Sequence, residues 1–228
     1  MAVVNHETKE VTFKIVYCGT PVGGKTTNLS YIHSRIEADQ RGDLVSLATS
    51  TDRTLFFDFL PINTVVINGY ATRFMLYTIP GQVCYNATRQ LVLKGVDGIV
   101  FVSYSSSERM EENLTSLQTL RKNLSFNGLS IDQLPLVFQY NKRDLPDAAP
   151  VAYLEYLMNN TEPRRLSFEA AANTGYNVFA TLNAVAEQVL QKFHQATQPA
   201  TTQHSNDRPS ATPHAAGPRH QAPAALNS

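Results

Sequence analysis

VTFKIVYCGTPVGGKT, residues 11 to 26, is the stretch of this sequence that decides the fold. Val11–Cys18 is a nearly continuous run of β-branched and aromatic residues, which predicts a strand. Gly19–Thr26 matches the pattern G-x-x-x-x-G-K-S/T, and Lys25–Ile36 is predicted to form a helix. A strand, this loop and a helix in that order are the context that the motif requires, so the stretch predicts a P-loop NTPase.

The Gly19–Thr26 loop predicts binding of phosphate and Mg²⁺. In such a loop, successive backbone N–H groups and the start of a helix converge on an anion. Lys25 is expected to place its ammonium group on the β- and γ-phosphates, which makes it a candidate catalytic residue, and Thr26 is expected to give its hydroxyl group to Mg²⁺. A glycine-rich turn without a ligand is the alternative. The predicted phosphate-binding residues are Gly19, Gly23, Gly24, Lys25, Thr26 and Thr27.

Strand-like and helix-like segments alternate after this loop. The alternation predicts an α/β fold with a mostly parallel sheet of about six to seven strands and helices on both faces. Asn68-Gly69 predicts a hairpin, and therefore one antiparallel edge strand. Further strands are predicted at Thr54–Leu60, Thr72–Ile79, Gly98–Ser103, Pro135–Tyr140 and Arg165–Ala170, and further helices at Glu108–Asn127 and Asn177–Phe193.

The composition changes sharply near residue 196. Residues 196–228 consist mainly of Ala, Pro, Thr, Gln, Ser and His, and they hold five of the twelve prolines. Such a segment buries too little apolar surface to offset its ordering entropy, so a disordered tail is predicted after a folded domain at residues 1–195. The tail histidines, His204, His214 and His220, form either a metal-binding tract or part of a plain polar tail.

Charge and composition exclude several classes of function. The 228 residues carry 19 Lys and Arg against 19 Asp and Glu, and this neutrality argues against a general nucleic-acid binder. The sequence has no apolar run of about 18 residues, so no membrane insertion is expected. The amino terminus does not have the pattern of a signal peptide, and two cysteines are too few for a disulfide framework. A cytoplasmic protein is therefore expected.

A second motif, Asn141-Lys142-Arg143-Asp144, follows the predicted strand Pro135–Tyr140 and suggests recognition of guanine. The carboxylate of Asp144 offers acceptors to the N1 and N2 hydrogens of guanine, which adenine does not present as a pair. The aliphatic stem of Lys142 is expected to lie against the base, and Asn141 is expected to tie this loop to the phosphate loop. A solvated polar turn is the alternative.

The segment Thr78-Ile79-Pro80-Gly81-Gln82 predicts the hydrolytic part of the site. The backbone N–H of Gly81 is expected to contact the γ-phosphate, and hydrolysis would remove that contact. Gln82 is the candidate catalytic residue that orients a water molecule in line with the γ-phosphorus.

Thr51-Asp52-Arg53-Thr54 is the candidate for the second Mg²⁺-binding segment. Thr54 would provide a second hydroxyl group for the metal and contact the nucleotide. Arg53 is either an internal arginine finger that stabilises charge on the leaving phosphate or a surface cation. Asp58 alternates with Phe57 and Phe59 along a strand and is expected to face solvent or a partner.

These motifs, in this order, resemble those of Ras-like small GTPases. Longer strings resemble the bacterial MglA-type GTPases, which are gliding-motility and cell-polarity switches, and the resemblance extends from about Thr12 to Phe193. The strings are TDRTLFFDFLP at 51–61, YTIPGQV at 77–83, LKGVDG at 93–98 and QYNKRDLP at 139–146.

The resemblance implies a Ras-like G domain that binds GTP and GDP with Mg²⁺ and hydrolyses GTP slowly. It further implies stimulation by a roadblock-fold, MglB-type activating dimer that inserts no arginine, with Arg53 and Gln82 at the family's hydrolytic positions. Polarity or motility effectors would bind the GTP state, and the cytoplasmic protein would be recruited to a cell pole. GTP loading in that family shifts the strand that here holds Thr54–Leu60.

A further loop, Glu169–Thr174 (EAAANT), looks like the family's second base-contacting loop, in which the N–H of Ala172 would cap guanine O6. Asn173 stands where the usual motif has lysine. Pro21 replaces a usual glycine beside the γ-phosphate, and Thr78 replaces the aspartate that holds a Mg²⁺-bound water in general Ras-like proteins, a threonine that MglA-type sequences share.

Two other functions compete with the switch. Pro21 motivates a nucleotide-bound interaction module with little or no hydrolysis. An ATP-dependent kinase or ATPase is also compatible with the phosphate loop, although Asn141–Asp144 weakens that interpretation.

Overall fold

The computed structural model describes residues 2–46, 58–67, 69–79 and 86–197. Within these ranges eight strands form one sheet with helices on both faces. The strands are β1 (Val3–Asn5), β2 (Glu10–Gly19), β3 (Val45–Ser46), β4 (Asp58–Ile67), β5 (Tyr70–Thr78), β6 (Gly98–Tyr104), β7 (Leu136–Asn141) and β8 (Ser167–Glu169). The α-helices are α1 (Lys25–Arg35), α2 (Asn86–Leu93), α3 (Met110–Phe126), α4 (Val151–Met158) and α5 (Val178–Thr197), with short 3₁₀ turns at Ser107–Arg109 and Ile131–Gln133.

The strand order is β3-β4-β5-β2-β6-β7-β8, with β1 beside β2. The strands β5, β2, β6, β7 and β8 run parallel, whereas β4 is antiparallel to β5 and β3 is antiparallel to β4. One edge of β2 pairs with β5 over Glu10–Tyr17. The other edge of β2 pairs with β1 at Glu10–Thr12 and with β6 at Ile15–Gly19.

The predicted fold class, a mostly parallel α/β sheet with helices on both faces, is confirmed. In the described ranges the sheet has eight strands rather than six to seven, and two of them, β1 and β4, run opposite to the others, rather than one edge strand. The short strands β1 and β3 were not predicted, because two or three residues carry no clear strand pattern. The hairpin joins β4 and β5, and the β4 strand predicted at Thr54–Leu60 runs over Asp58–Ile67, with residues 54–57 outside the described ranges. Asn68, in the predicted turn, also lies outside them. The tail was predicted to begin at residue 196, but Ala196 and Thr197 are the last residues of α5, and residues 198–228 lie outside the described ranges.

Two apolar layers cover the faces of the sheet, and β2 contributes alternate side chains to both. Phe13, Ile15 and Tyr17 pack in the layer with α1 and α5. Val16 and Cys18 pack in the layer with α2, α3 and α4. This period-2 alternation, with both faces buried, is the reason the strand is nearly continuously apolar. None of the helices in the described ranges is both long and apolar enough to cross a membrane.

The parallel strands bring the predicted motifs to one edge of the sheet. β2, β6, β7 and β8 run in the same direction, so their carboxyl ends, at Gly19, Tyr104, Asn141 and Glu169, lie on the same side. In open α/β sheets ligands bind outside the carboxyl ends of the strands. The fold therefore gathers the phosphate loop and both loops that are predicted to contact the base at this edge.

Gly98 allows close packing of β6 against α5 and provides a test of the fold. A Cβ atom at this position would lie 2.5 Å from Cγ2 of Val189 and 3.0 Å from Cγ2 of Val185. We expect Gly98→Ala to lower the free energy of unfolding by about 1–3 kcal/mol through overpacking, as measured by urea denaturation. In a Val189→Ala background the added methyl group has space, so the same substitution should cost less; an equal cost in both backgrounds would contradict this packing.

Candidate nucleotide-binding site

The phosphate loop leads from the end of β2 into α1. The first intrahelical bond runs from the N–H of Asn28 to the carbonyl of Gly24, at 3.0 Å, so the N–H groups of Lys25, Thr26 and Thr27 precede the helical ladder. Such N–H groups, together with the helix dipole, favour an anion at the helix start. Gly23 is buried within the loop, while Thr26 and Thr27 are exposed in the first helical turn.

Two glycines of the loop are required by close contacts. Gly19 has a φ of 126°, and a Cβ there would lie 2.1 Å from the carbonyl oxygen of Val102. Gly24 has a φ of 99°, and its Cβ would lie 2.2 Å from Nδ2 of Asn141. Both the left-handed backbone and the lack of space exclude larger residues, so these glycines hold the loop in its conformation.

The carbonyl oxygens of the loop have partners within the protein. Nζ of Lys25 donates to the carbonyls of Gly19 at 3.2 Å and Thr20 at 2.7 Å. Nδ2 of Asn28 donates to the carbonyl of Gly24 at 2.9 Å. Because these acceptors are satisfied, the anion would meet N–H groups and an ammonium group rather than carbonyl oxygens.

The Lys25 side chain is desolvated, with 8% of its surface exposed. Burial lowers the pKa of Lys25 to about 8; Cys18 and Asp58 oppose this shift, and Arg89 adds to it. A buried cation interacts more strongly with a nearby anion than an exposed one does, because less water screens the charge. This lysine is therefore suited to bind phosphate oxygens at the loop.

Asp58 is buried, with 2% of its surface exposed, so the expectation that it faces solvent or a partner is wrong. It lies on the same face of β4 as the core residues Leu60 and Ile62. Phe59 lies on the other face, where its ring centre is 4.9 Å from that of Tyr77, with the two rings tilted by 36°. Period-2 alternation separates two faces but does not identify the buried one, and the larger aromatic residues suggested the wrong face.

The Asp58 carboxylate joins the start of α1 to the end of β5. Its Oδ2 accepts hydrogen bonds from Oγ1 of Thr26 at 2.6 Å and Oγ1 of Thr78 at 2.9 Å, and its Oδ1 accepts from the hydroxyl of Ser46. The backbone N–H of Asp58 donates to Oγ1 of Thr78 at 2.9 Å. Thr78 thus holds a carboxylate that comes from the neighbouring strand.

This arrangement fits Mg²⁺. The hydroxyl of Thr26 gives its hydrogen to Asp58, which leaves the oxygen lone pairs for a metal, and hard oxygen ligands beside a carboxylate suit Mg²⁺. Thr54, the second predicted hydroxyl ligand, lies outside the described residues. In the described ranges, the structure has no cluster of three or more His, Cys, Asp and Glu side chains that could hold a metal ion.

Asn141, at the end of β7, bonds to two loops of the site, and the bond to the phosphate loop is the one that the sequence predicted. Its Nδ2 donates to the carbonyl of Gly23 at 2.8 Å, and its Oδ1 accepts from the N–H of Ala172 at 2.9 Å. The side chain is buried and links the phosphate loop directly to the loop after β8. Since the N–H of Ala172 is bonded to Asn141, a guanine O6 would share that hydrogen.

The other residues of the N-K-x-D motif follow Asn141 in a tight turn. Lys142 has a φ of 66°, and its Nζ lies 4.3 Å from the centre of the Tyr104 ring. The exposed Asp144 accepts a hydrogen bond at Oδ2 from Nδ2 of Asn173, at 2.9 Å. The residue that replaces the usual lysine therefore bonds to the carboxylate that is expected to read the base.

Arg53, Gly81 and Gln82 also lie outside the described residues, so their roles stay predictions. Of the segment that contains Gly81 and Gln82, the structure describes Thr78 and Ile79, both of which are buried.

Sequence reasoning missed the buried amides that support the site. Asn28 and Gln139 bond to each other through both amide groups, at 2.9 and 3.0 Å, and Nε2 of Gln139 also donates to Oγ1 of Thr181 at 3.2 Å. A glutamine in the otherwise apolar strand PLVFQY was the signal that could have indicated this network. Asn113, in the first turn of α3, had no such signal.

A mostly parallel sheet whose strand β2 leads into a phosphate loop, with an N-K-x-D loop tied to that loop at the same edge, defines the class of Ras-like small GTPases. Over 193 aligned residues the chain is 51% identical to the mutual gliding-motility protein MglA of Myxococcus xanthus (strain DK1622). The alignment covers 85% of this chain and 98% of that protein. The chain therefore belongs to the MglA family of gliding-motility small GTPases. No protein-family model matches the chain.

Thr78→Val tests the bonds around Asp58. The substitution keeps the shape of the side chain but leaves the N–H and Oδ2 of Asp58 with one partner fewer each. We expect a loss of about 1–3 kcal/mol in the free energy of unfolding, measured by chemical denaturation. The control is Thr72→Val on the same strand, a buried threonine that lines an apolar groove with Val11 and Phe13, where a smaller effect is expected. Equal losses in the two variants would contradict the role of Thr78.

Proposed function

We propose that the protein is a switch that binds GTP and GDP, hydrolyses GTP to GDP and phosphate, and binds effectors of motility or cell polarity in its GTP state. The observation that carries this proposal is the pair of hydrogen bonds made by Asn141, from Nδ2 to Gly23 and from Ala172 to Oδ1. One buried amide thereby joins a phosphate loop to a loop suited to a nucleobase, which is the arrangement that a nucleoside phosphate requires.

Guanine is the base that these loops favour. The Asp144 carboxylate accepts from N1 and N2 of guanine, whereas adenine would leave it without its partners, and unpaired polar groups discriminate strongly. The Asn173 amide, 2.9 Å from Oδ2, holds the carboxylate while leaving its remaining lone pairs for the base.

Mg²⁺ would be held by the hydroxyl groups of Thr26 and Thr54, together with phosphate oxygens. When bound, it neutralises charge on the β- and γ-phosphates. Asp58 accepts the hydrogen of the Thr26 hydroxyl and so orients the oxygen lone pairs away from itself.

Hydrolysis proceeds by attack of water on the γ-phosphorus, with cleavage of the bond to the oxygen that bridges the β- and γ-phosphates. Gln82 orients the water, Lys25 binds the phosphate oxygens, and Arg53 stabilises the charge that develops on the leaving diphosphate. Intrinsic rates in this class are roughly 10⁻⁴–10⁻² s⁻¹, so an activating partner is expected. For this chain we propose a roadblock-fold, MglB-type dimer that inserts no arginine.

The signal of the switch is the set of contacts made to one phosphate. Thr54 and Gly81 contact the γ-phosphate side of the nucleotide in the GTP state, and hydrolysis removes these contacts. The relative from M. xanthus carries gliding motility in its name. We extend this to a cytoplasmic protein that is recruited to a cell pole in the GTP state.

A nucleotide-bound module without turnover is the second candidate, and it rests on the phosphate loop. Pro21 lines a cavity with Gly19 and Ile79, and the next residue, Val22, has a φ of 57°. A left-handed backbone is costly for a β-branched residue, so this part of the loop is strained. Under this candidate function, the strained loop beside the γ-phosphate position slows or prevents turnover.

Asp144→Asn tests base recognition. An asparagine cannot accept from both N1 and N2 of guanine, so we expect the affinity for GDP to fall at least about 100-fold, because two hydrogen bonds to a charged group are affected. The variant should gain affinity for xanthosine diphosphate, whose O2 accepts from the asparagine amide. Calorimetry measures both ligands, with Asp147→Asn, an exposed position in the same loop, as the control. An unchanged affinity for GDP would exclude the assigned role.

Gln82→Ala tests hydrolysis. We expect GTP binding to persist while the partner-stimulated rate falls about 100-fold or more, because the water loses its orienting group. Single-turnover assays with γ-labelled GTP, with and without the MglB-type partner, give the rate, and Gln191→Ala on the exposed side of α5 is the control. A stimulated rate equal to wild type would show that Gln82 is not required; no turnover in the wild type would favour the second candidate.

A further inference from the structure

Tyr104 lies beside Asn141 and Lys142 of the candidate site without belonging to any of its sequence motifs. It is the last residue of β6 and pairs with Asn141, the last residue of β7. Its ring centre lies 4.3 Å from Nζ of Lys142, well within the range of a cation–π interaction. Lys142 is the residue whose stem is expected to lie against the base, so the ring fixes the far end of that stem.

A second cation, the guanidinium group of Arg109, lies near the Tyr104 ring. Cζ of Arg109 lies 5.4 Å from the ring centre, and Nη1 of Arg109 bonds to both carboxylate oxygens of Glu112, at 2.6 and 2.8 Å. The carboxylate offsets the repulsion between the two cations near one ring. Because of this ion pair, Arg109 and Lys142 can both lie near the Tyr104 ring.

The backbone of Tyr104 is fixed from α3. Its N–H donates to Oδ1 of Asn113 at 2.9 Å, and its carbonyl accepts from Nδ2 of Asn113 at 2.8 Å. Asn113 is fully buried, and its Oδ1 also accepts a hydrogen bond from the hydroxyl of Thr20 in the phosphate loop. Tyr104 is thus held in a defined position relative to the loop that binds phosphate.

We propose that Tyr104 is a positioning residue for the nucleobase and acts by holding the ammonium group of Lys142. This inference rests on the proposed function, because it assumes that the Lys142 stem contacts the base. A free lysine has several rotatable bonds, and ordering them on binding opposes affinity. The Tyr104 ring restricts those bonds before the base arrives, so the stem presents a ready apolar surface.

The test compares two substitutions of Tyr104 in the full-length protein with GDP and Mg²⁺. Tyr104→Leu removes the aromatic face, and we expect the Kd for GDP to rise about three- to tenfold. Tyr104→Phe keeps the face and should stay within about twofold of wild type, since the ring supplies the interaction. Calorimetry gives the Kd values, and equal values for the leucine and phenylalanine variants would overturn the proposal.

A double-mutant cycle with Lys142→Met separates positioning from a general structural role. Methionine keeps much of the stem but lacks the ammonium group, so Tyr104→Leu should have no further effect on the Kd for GDP in that background. A threefold or larger effect that persists there would show that Tyr104 acts through the fold instead of through Lys142. If Tyr104→Leu does not fold, Lys142→Met alone decides: it should raise the Kd three- to tenfold, and a Kd equal to wild type would overturn the proposal. Absence of GDP binding to the wild type would instead refute the proposed function itself.

Discussion

The hydrogen bonds of one buried asparagine connect the parts of this site. Asn141 reaches from the end of β7 to the carbonyl of Gly23 on one side and receives the N–H of Ala172 on the other. The parallel register of β2, β6, β7 and β8 makes this reach possible, because it brings the strand ends to one edge of the sheet. Gly24 has to be glycine for the same reason, since any Cβ there would collide with the asparagine amide.

A second constraint is electrostatic. The start of α1 contains a desolvated lysine, and a buried carboxylate, Asp58, comes to the same place from β4. Burying a carboxylate is costly unless it is hydrogen-bonded, and here three hydroxyl groups, from Thr26, Ser46 and Thr78, provide the bonds. The threonine at position 78, where other Ras-like proteins have aspartate, therefore does not remove the acidic group from the site; the acid is supplied by the adjacent strand.

The sequence predicted those features that depend on local chemistry. A pattern within one segment is enough to predict each of these features: the glycines and Lys25 of the phosphate loop, the N-K-x-D turn and the long buried strands. The burial of Asp58 and the contact of Tyr104 with Lys142 depend on which strands become neighbours, and a single segment does not encode that. Helix α4, with the sequence VAYLEYLM, was not predicted, because eight mostly apolar residues have no clear helical period. The roles of Arg53, Thr54, Gly81 and Gln82 remain predictions from the motifs.

Calorimetry of the full-length chain with Mg²⁺, comparing GDP with ADP, tests most directly whether phosphate and base loops form one guanine nucleotide site. We predict saturable binding of GDP at one site per chain and no measurable binding of ADP at the same concentrations. Binding of both nucleotides with equal affinity, or of neither, would contradict it.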